Sequence, residues 1–312
     1  MNSVSYGLRA FADQPTFTIE LNSKSIALSW INASPTLLAP MRIMVDNRMA
    51  DNRTDPTGLD AYKPAEIAQL IEDAGVKKAE LAAVPLATLA FLAGTFIALG
   101  AAAFTAAMTG GDGNFGPARL LGGLIFSTGL ILVVVAGAEL FTGNCLIVMA
   151  WVDRRVSLGG LMRNWAYAYA GNLAGALVIV MLMYSSGLLD GATGETARNI
   201  AAAKTALTPV EALSRGILCN MLVCLAVWLS FASRSVTGKI LAIVFPITAF
   251  VLLGYEHSIA NMYLIPAGWA AGAPITIQGF LGNLIPVTIG NIIGGAGGVA
   301  LTYWLAYRPR RS

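Results

Sequence analysis

The chain has 312 residues, 56% of them hydrophobic and only 12% charged, with 33 glycines and a formal net charge of +3. So few charges cannot cover a solvated globular surface, so the composition excludes a soluble domain and predicts an integral membrane protein. Lys and Arg lie scattered between apolar runs without forming a basic face, which excludes nucleic-acid binding.

In chain order, residues 1–60 are polar, are broken by Pro15, Pro35, Pro40 and Pro56, and hold no apolar core of signal-peptide type. They read as a disordered N-terminal tail, and Met41, Met44 and Met49 leave open a later translation start. Residues 61–82 read as an amphipathic cytoplasmic helix on the membrane surface, with Pro64 at its start and Gly75 at its end. Residues 83–307 form the predicted transmembrane domain. About 20 apolar residues cross a bilayer, and the stretches 83–108, 161–187, 209–232, 240–268 and 282–306 qualify.

The sixth span differs. Gly116 to Val152 is too long for one straight crossing and is interrupted by Glu139, Thr142, Gly143 and Asn144, which predicts a helix, a break and a half-helix. The span holding Glu256, His257 and Asn261 is interrupted in the same way. Lys204 sits in the 188–208 connection with Asp190, Glu195 and Arg198 and reads as a solvated loop lysine. Cys145, Cys219 and Cys224 fall in apolar runs with no metal-ligand spacing, so they read as small buried hydrophobes, and no metal or cofactor is expected. Arg154 and Arg155, then Arg234 and Lys239, then the basic terminus 308–312 alternate with the loops 110–116 and 269–281, which lack Lys and Arg. That alternation predicts a multi-pass protein of the cell (inner) membrane with both termini cytoplasmic.

The two interruptions share a pattern. Gly137 to Asn144 and Gly254 to Asn261 both read G-x-E-x4-N, and each is followed by N-x6-G-N-x2-G, at Asn164 to Gly175 and at Asn283 to Gly294. Three spans per copy is an odd number, so the second copy enters the membrane upside down, as in inverted-repeat transporters with a site at the bilayer midplane. Backbone freed at that depth is tolerated only beside protein or a water-filled cavity, so the breaks are expected to line a passage for a small solute. The Gly-Asn-x-x-Gly patches let helices approach closely.

His257, the only histidine, lies inside a span, where an ionisable group costs about 3 kcal/mol on insertion scales. It reads either as a neutral brace of the break or as a pore-lining donor able to exchange protons near neutral pH. Glu139 and Glu256 are equivalent and read as structural acceptors of freed backbone amides, and Asn144 and Asn261 as turn and half-helix caps. Thr142 corresponds to Ile259 in the other copy, so symmetry does not require its hydroxyl, which is either a solute contact or structural. An enzyme is not expected: no second histidine, H-E-x-x-H, G-x-S-x-G or P-loop is present.

From about Tyr62 to Tyr307 the chain resembles the formate/nitrite transporter family. The segments that carry the resemblance are 136–144 (AGAELFTGN), 216–228 (GILCNMLVCLAVW), 256–262 (EHSIANM) and 283–295 (NLIPVTIGNIIGG). The resemblance implies an all-α fold, six transmembrane helices in an aquaporin-like inverted repeat with two broken helices, assembled as a homopentamer with one pore per protomer. It places the family's central histidine on His257, its loop threonine on Thr142, its vestibule lysine on Lys204 and its pore asparagine on Asn220, and apolar constrictions on Phe126, Leu130, Leu140, Phe141 and Phe250. The implied function is proton-linked passage of a small monovalent anion, formate first, with nitrite or hydrosulfide as alternatives and a neutral-solute channel behind them.

Overall fold

A computed structural model describes residues 16–22, 25–31, 61–111 and 116–307, in two units, Met1–Pro56 and Thr57–Ser312. In the first unit, β1 (Thr16–Asn22) pairs antiparallel with β2 (Ser25–Ile31), in register from Thr16↔Ile31 to Asn22↔Ser25. The hairpin falls within the segment expected to be a disordered tail. The rest of that tail up to residue 60 and the basic terminus 308–312 lie outside the described residues.

The second unit is all helical. Its first helix, α1 (Pro64–Glu80), starts at a proline, and the Glu66 carboxylate accepts the Lys63 amide at 2.8 Å. It passes straight through Gly75, which the sequence reading places at its end. A Cβ there would stand 3.4 Å from Ile147 and Ala150, so the glycine admits a close approach at a propensity cost of about 1 kcal/mol. The buried face of α1, including Ile67, Ala68 and Ile71, packs on the segment 145–152.

Two helix pairs follow each other in matching order. In the first copy α2 (Ala83–Met108) packs on α3 (Gly116–Ile131) and on α6 (Leu158–Ser185). Between α3 and α6 the chain runs through a π-helical turn (Leu132–Gly137), an extended break, a short helix α4 (Phe141–Asn144), a 3-10 turn and α5 (Val148–Val152). In the second copy α7 (Gly191–Thr205) leads into α8 (Pro209–Ala232), which packs on α9 (Val236–Leu252) and on α11 (Ile277–Ile292). Between those two lies the half-helix α10 (Ser258–Ala270), and a π-helical stretch and α12 (Thr302–Tyr307) extend α11.

Among the described residues, five helical segments are long and apolar enough to cross a membrane: Ala83–Met108, Gly116–Gly137, Leu158–Ser185, Pro209–Ala232 and Ile277–Tyr307. The half-helix α10 has 13 residues, about 20 Å at 1.5 Å per residue, and crosses only together with α9. The expected 188–208 loop is instead largely the helix α7, the counterpart of α1.

Both breaks turn on a glycine with positive φ, Gly137 at 88° and Gly254 at 69°, a conformation costly for residues with a Cβ. Gly175 and Gly294 also occupy matching places. A Cβ at Gly175 would run into the carbonyl of Phe91, and one at Gly294 into that of Ile217. Burial departs from that of a soluble protein: Asn144, Asn164, Asn172, Asn220, Asn261, Asn283 and Asn291 are all buried, while Phe245, Leu182 and Leu305 are exposed.

Candidate functional site

Each break carries the same polar cluster. In the first copy Lys78 Nζ lies 2.6 Å from Glu139 Oε1, and Asn144 Nδ2 donates to Glu139 Oε2 at 2.7 Å and to Asn164 Oδ1 at 2.8 Å. Asn164 Nδ2 closes the ring on the carbonyl of Lys78 at 3.0 Å. In the second copy Lys204 Nζ lies 2.8 Å from Glu256 Oε1, and Asn261 Nδ2 donates to Glu256 Oε2 at 2.7 Å and to Asn283 Oδ1 at 2.8 Å. Asn283 Nδ2 closes that ring on the carbonyl of Lys204 at 2.9 Å. The repeat therefore begins one helix earlier than its motifs suggest, at Lys78 in α1 and Lys204 in α7.

Lys204 is consequently not the solvated lysine of the sequence reading. Its side chain is 14% exposed and its charge is matched by a buried carboxylate. Nor do the carboxylates of Glu139 and Glu256 take a freed amide: they accept from Lys78 and Asn144, and from Lys204, Asn261 and Asn283. That duty falls on two other asparagines: Asn172 Oδ1 accepts the Phe141 amide at 3.0 Å, and Asn291 Oδ1 accepts the Ser258 amide at 2.8 Å. Each then donates to two carbonyls, Asn172 to Ala90 and Glu139, Asn291 to Gly216 and Glu256. Asn144 and Asn261 hold the carboxylates and cap no helix, so the expected capping role passes elsewhere.

The cap of α10 is His257. The Ala260 amide donates to His257 Nδ1 at 3.0 Å, which leaves that nitrogen without a proton. The neutral ring carries its proton on Nε2, which stands 2.9 Å from Thr142 Oγ1. Thr142 thus accepts from the ring and keeps its own hydroxyl proton for another acceptor. Asn220 ties the two copies together behind this contact: its Nδ2 donates to the carbonyls of Thr142 at 3.2 Å and Asn291 at 2.6 Å. The Cys224 thiol also donates to the Thr142 carbonyl, and all three cysteines are buried and free.

Two cavities approach this contact. One, of about 470 Å³, is lined by Lys78, Glu139, Leu130, Leu140, Asn144 and Lys239 among others. The other, of about 380 Å³, is lined by Lys204, Glu256, His257, Phe126, Phe250 and Asn261 among others. Phe126 and Phe250 meet edge to face with centroids 5.5 Å apart, and Phe250 stacks on His257 at 6.0 Å. Of the apolar residues named from the sequence, Leu130 and Leu140 border the first cavity and Phe126 and Phe250 the second. Phe141 borders neither, its ring being packed on Trp165 and Tyr169. Thr142 and Asn220 are fully buried and line neither cavity.

Sequence reasoning missed Lys78, and it treated Asn164, Asn172, Asn283 and Asn291 only as parts of a repeat. A signal existed: Lys78-x-x-Leu81 and Lys204-x-x-Leu207 precede the first long span of each copy.

Known proteins show the same arrangement of sequence. The formate channel FocA of Escherichia coli K12 is 45% identical over 271 residues, covering 80% of this chain and 95% of that protein. A probable formate transporter of Methanothermobacter thermautotrophicus is 44% identical over 240 residues, covering 70% of this chain and 87% of its own length. Among solved structures, an FNT family ion channel superposes with a TM-score of 0.73 at 30% identity, covering 77% of this chain and 98% of its own. A pentameric formate channel with formate bound gives 0.67 at 39% identity, covering 73% and 98%. The protein is thus a multi-pass membrane protein whose relatives are transport proteins and not enzymes. With the family model for formate/nitrite transporters matching residues 65–305, the chain belongs to the formate/nitrite transporter family.

Proposed function

We propose that the chain passes formate across the cell membrane through a pore in each protomer, joining the two cavities past the His257–Thr142 contact. The observation that carries this reading is that pair of cavities, each bordered by apolar side chains, with His257 of the buried His257–Thr142 contact lining the second. The substrate comes from relatives named for formate. By analogy with the pentameric relative, the assembly is a homopentamer.

A bare carboxylate between Leu130, Leu140, Phe126 and Phe250 would lose hydration worth several kcal/mol. Formate therefore crosses those constrictions as the neutral acid, protonated in the vestibule by hydronium from the solution, which leaves water behind. His257 Nε2–H and the Thr142 hydroxyl supply hydrogen bonds on the way. His257 itself is not the acid in this scheme. Loss of the Nε2 proton would leave an imidazolate, and a proton on Nδ1 would face the Ala260 amide. Lys204, with Asn220 behind the contact, positions this site. In this reading both termini lie in the cytoplasm and the first cavity opens there, which the Lys and Arg bias of the loops supports.

The test is formate uptake into proteoliposomes of purified protein at two pH values, beside glycerol. Formate uptake that rises at the lower pH, with glycerol excluded, is expected. Glycerol passage without formate passage would overturn the reading.

A further inference from the structure

We propose that Lys239 is the anion-collecting residue of the first cavity, a duty the paired lysines cannot perform. This rests on the reading of the pore as an anion pathway. Among the described residues, Lys78 and Lys239 are the cations of the first cavity's lining and Glu139 its one carboxylate. Lys78 lies 2.6 Å from Glu139, so from any distance larger than that separation the two present a dipole and not a charge. Lys239 has no hydrogen bond or ion pair through its side chain among the described residues. Its charge alone therefore gives the cavity a net positive field.

In the second cavity the repeated lysine is likewise matched, Lys204 by Glu256, and it holds its broken helix.

The position of Lys239 argues for function. It sits in the first turn of α9, behind the cap in which Ser235 Oγ accepts the Gly238 amide. A cation there opposes the helix dipole, which favours carboxylates at that end. Helix stability does not select it. Half-buried beside Leu140 and Leu130, it acts in a narrowing cavity with low-dielectric walls, where one charge raises the local anion concentration.

The experiment is initial formate flux against formate concentration in proteoliposomes, at several ionic strengths, for the wild type, Lys239→Gln and Lys239→Arg. In Lys239→Gln the half-saturating concentration should rise about three- to tenfold at low salt, with the maximal rate kept. The difference should close towards about 1 M salt, where the Debye length falls to about 3 Å. Lys239→Arg should track the wild type. The wild type alone should show a half-saturating concentration that climbs with salt, which needs no variant to fold. An unchanged value in Lys239→Gln, or a rise that persists at high salt, would overturn the role of Lys239 while leaving the transport reading intact. Absence of saturable formate flux in the wild type would instead overturn the transport reading.

Discussion

Replacing Lys204 by Met leaves the Glu256 carboxylate, itself only 5% exposed, without its ion partner. Breaking a buried pair by removing one member costs about 3–5 kcal/mol. The amide donors of Asn261 at 2.7 Å and Asn283 at 3.3 Å remain on Oε2, which places the expected loss near the lower end of that range. Adding Glu256→Gln removes the stranded charge. The Gln oxygen keeps the Asn261 bond, and only its amino group is left unpaired beside Met, at about 1–3 kcal/mol. The double variant should therefore be more stable than Lys204→Met alone, with a coupling of about 2 kcal/mol. The matching lysine of the other copy, Lys78, is 32% exposed, so water replaces much of what it gives Glu139. Lys78→Met should cost about 1–2 kcal/mol, between the surface and buried limits. The assay is equilibrium unfolding by SDS titration in mixed micelles for both cycles. Losses that simply add at Lys204 and Glu256, or a Lys78→Met loss as large as that of Lys204→Met, would refute this account of the pairs.

Asn172→Ala and Asn291→Ala each strip one acceptor and two donors from buried backbone groups, so each should destabilise by about 3 kcal/mol or more in the same titration; a loss below about 1 kcal/mol would count against their bracing role. His257→Phe removes both the cap of α10, worth about 1 kcal/mol, and the Nε2 donor, whereas His257→Asn keeps a capping side chain. Formate flux should fall in both variants and stability only in the first; equal stability losses would show that the cap is not what the ring provides. On the α1 surface, burial pushes the Glu72 carboxyl above its ordinary range, against the pull of Arg155. A carboxyl raised on folding stabilises fully below its unfolded value and loses that contribution as pH rises through its folded one, so protease protection of α1 should weaken as pH rises above the ordinary carboxylate range. Glu72→Gln should flatten that dependence, and a variant that follows the wild-type profile would refute it.

The spans and both breaks were legible because they rest on local rules: apolar length, a glycine that tolerates positive φ, and a carboxylate no lipid-facing helix would keep. Gly137 and Gly254 mark the breaks in the chain as plainly as in the fold. What stayed hidden was partnership. Lys204 looks solvated beside Asp190 and Glu195 because nothing in a linear reading says that α7 docks its last turn on Glu256, 52 positions away. Lys78 stayed hidden behind an amphipathic pattern that describes the other face of α1 correctly. The asparagines were visible as a repeat, but a repeat reports equivalence and not bonding. It could not show that Asn172 and Asn291 take the freed amides while Glu139 and Glu256 hold lysines. Long-range pairing also decides which cations carry a field. The lysines that the repeat makes conspicuous are the ones whose charge is matched, and Lys239, which in the sequence only orients the loops, is left with charge to offer an anion.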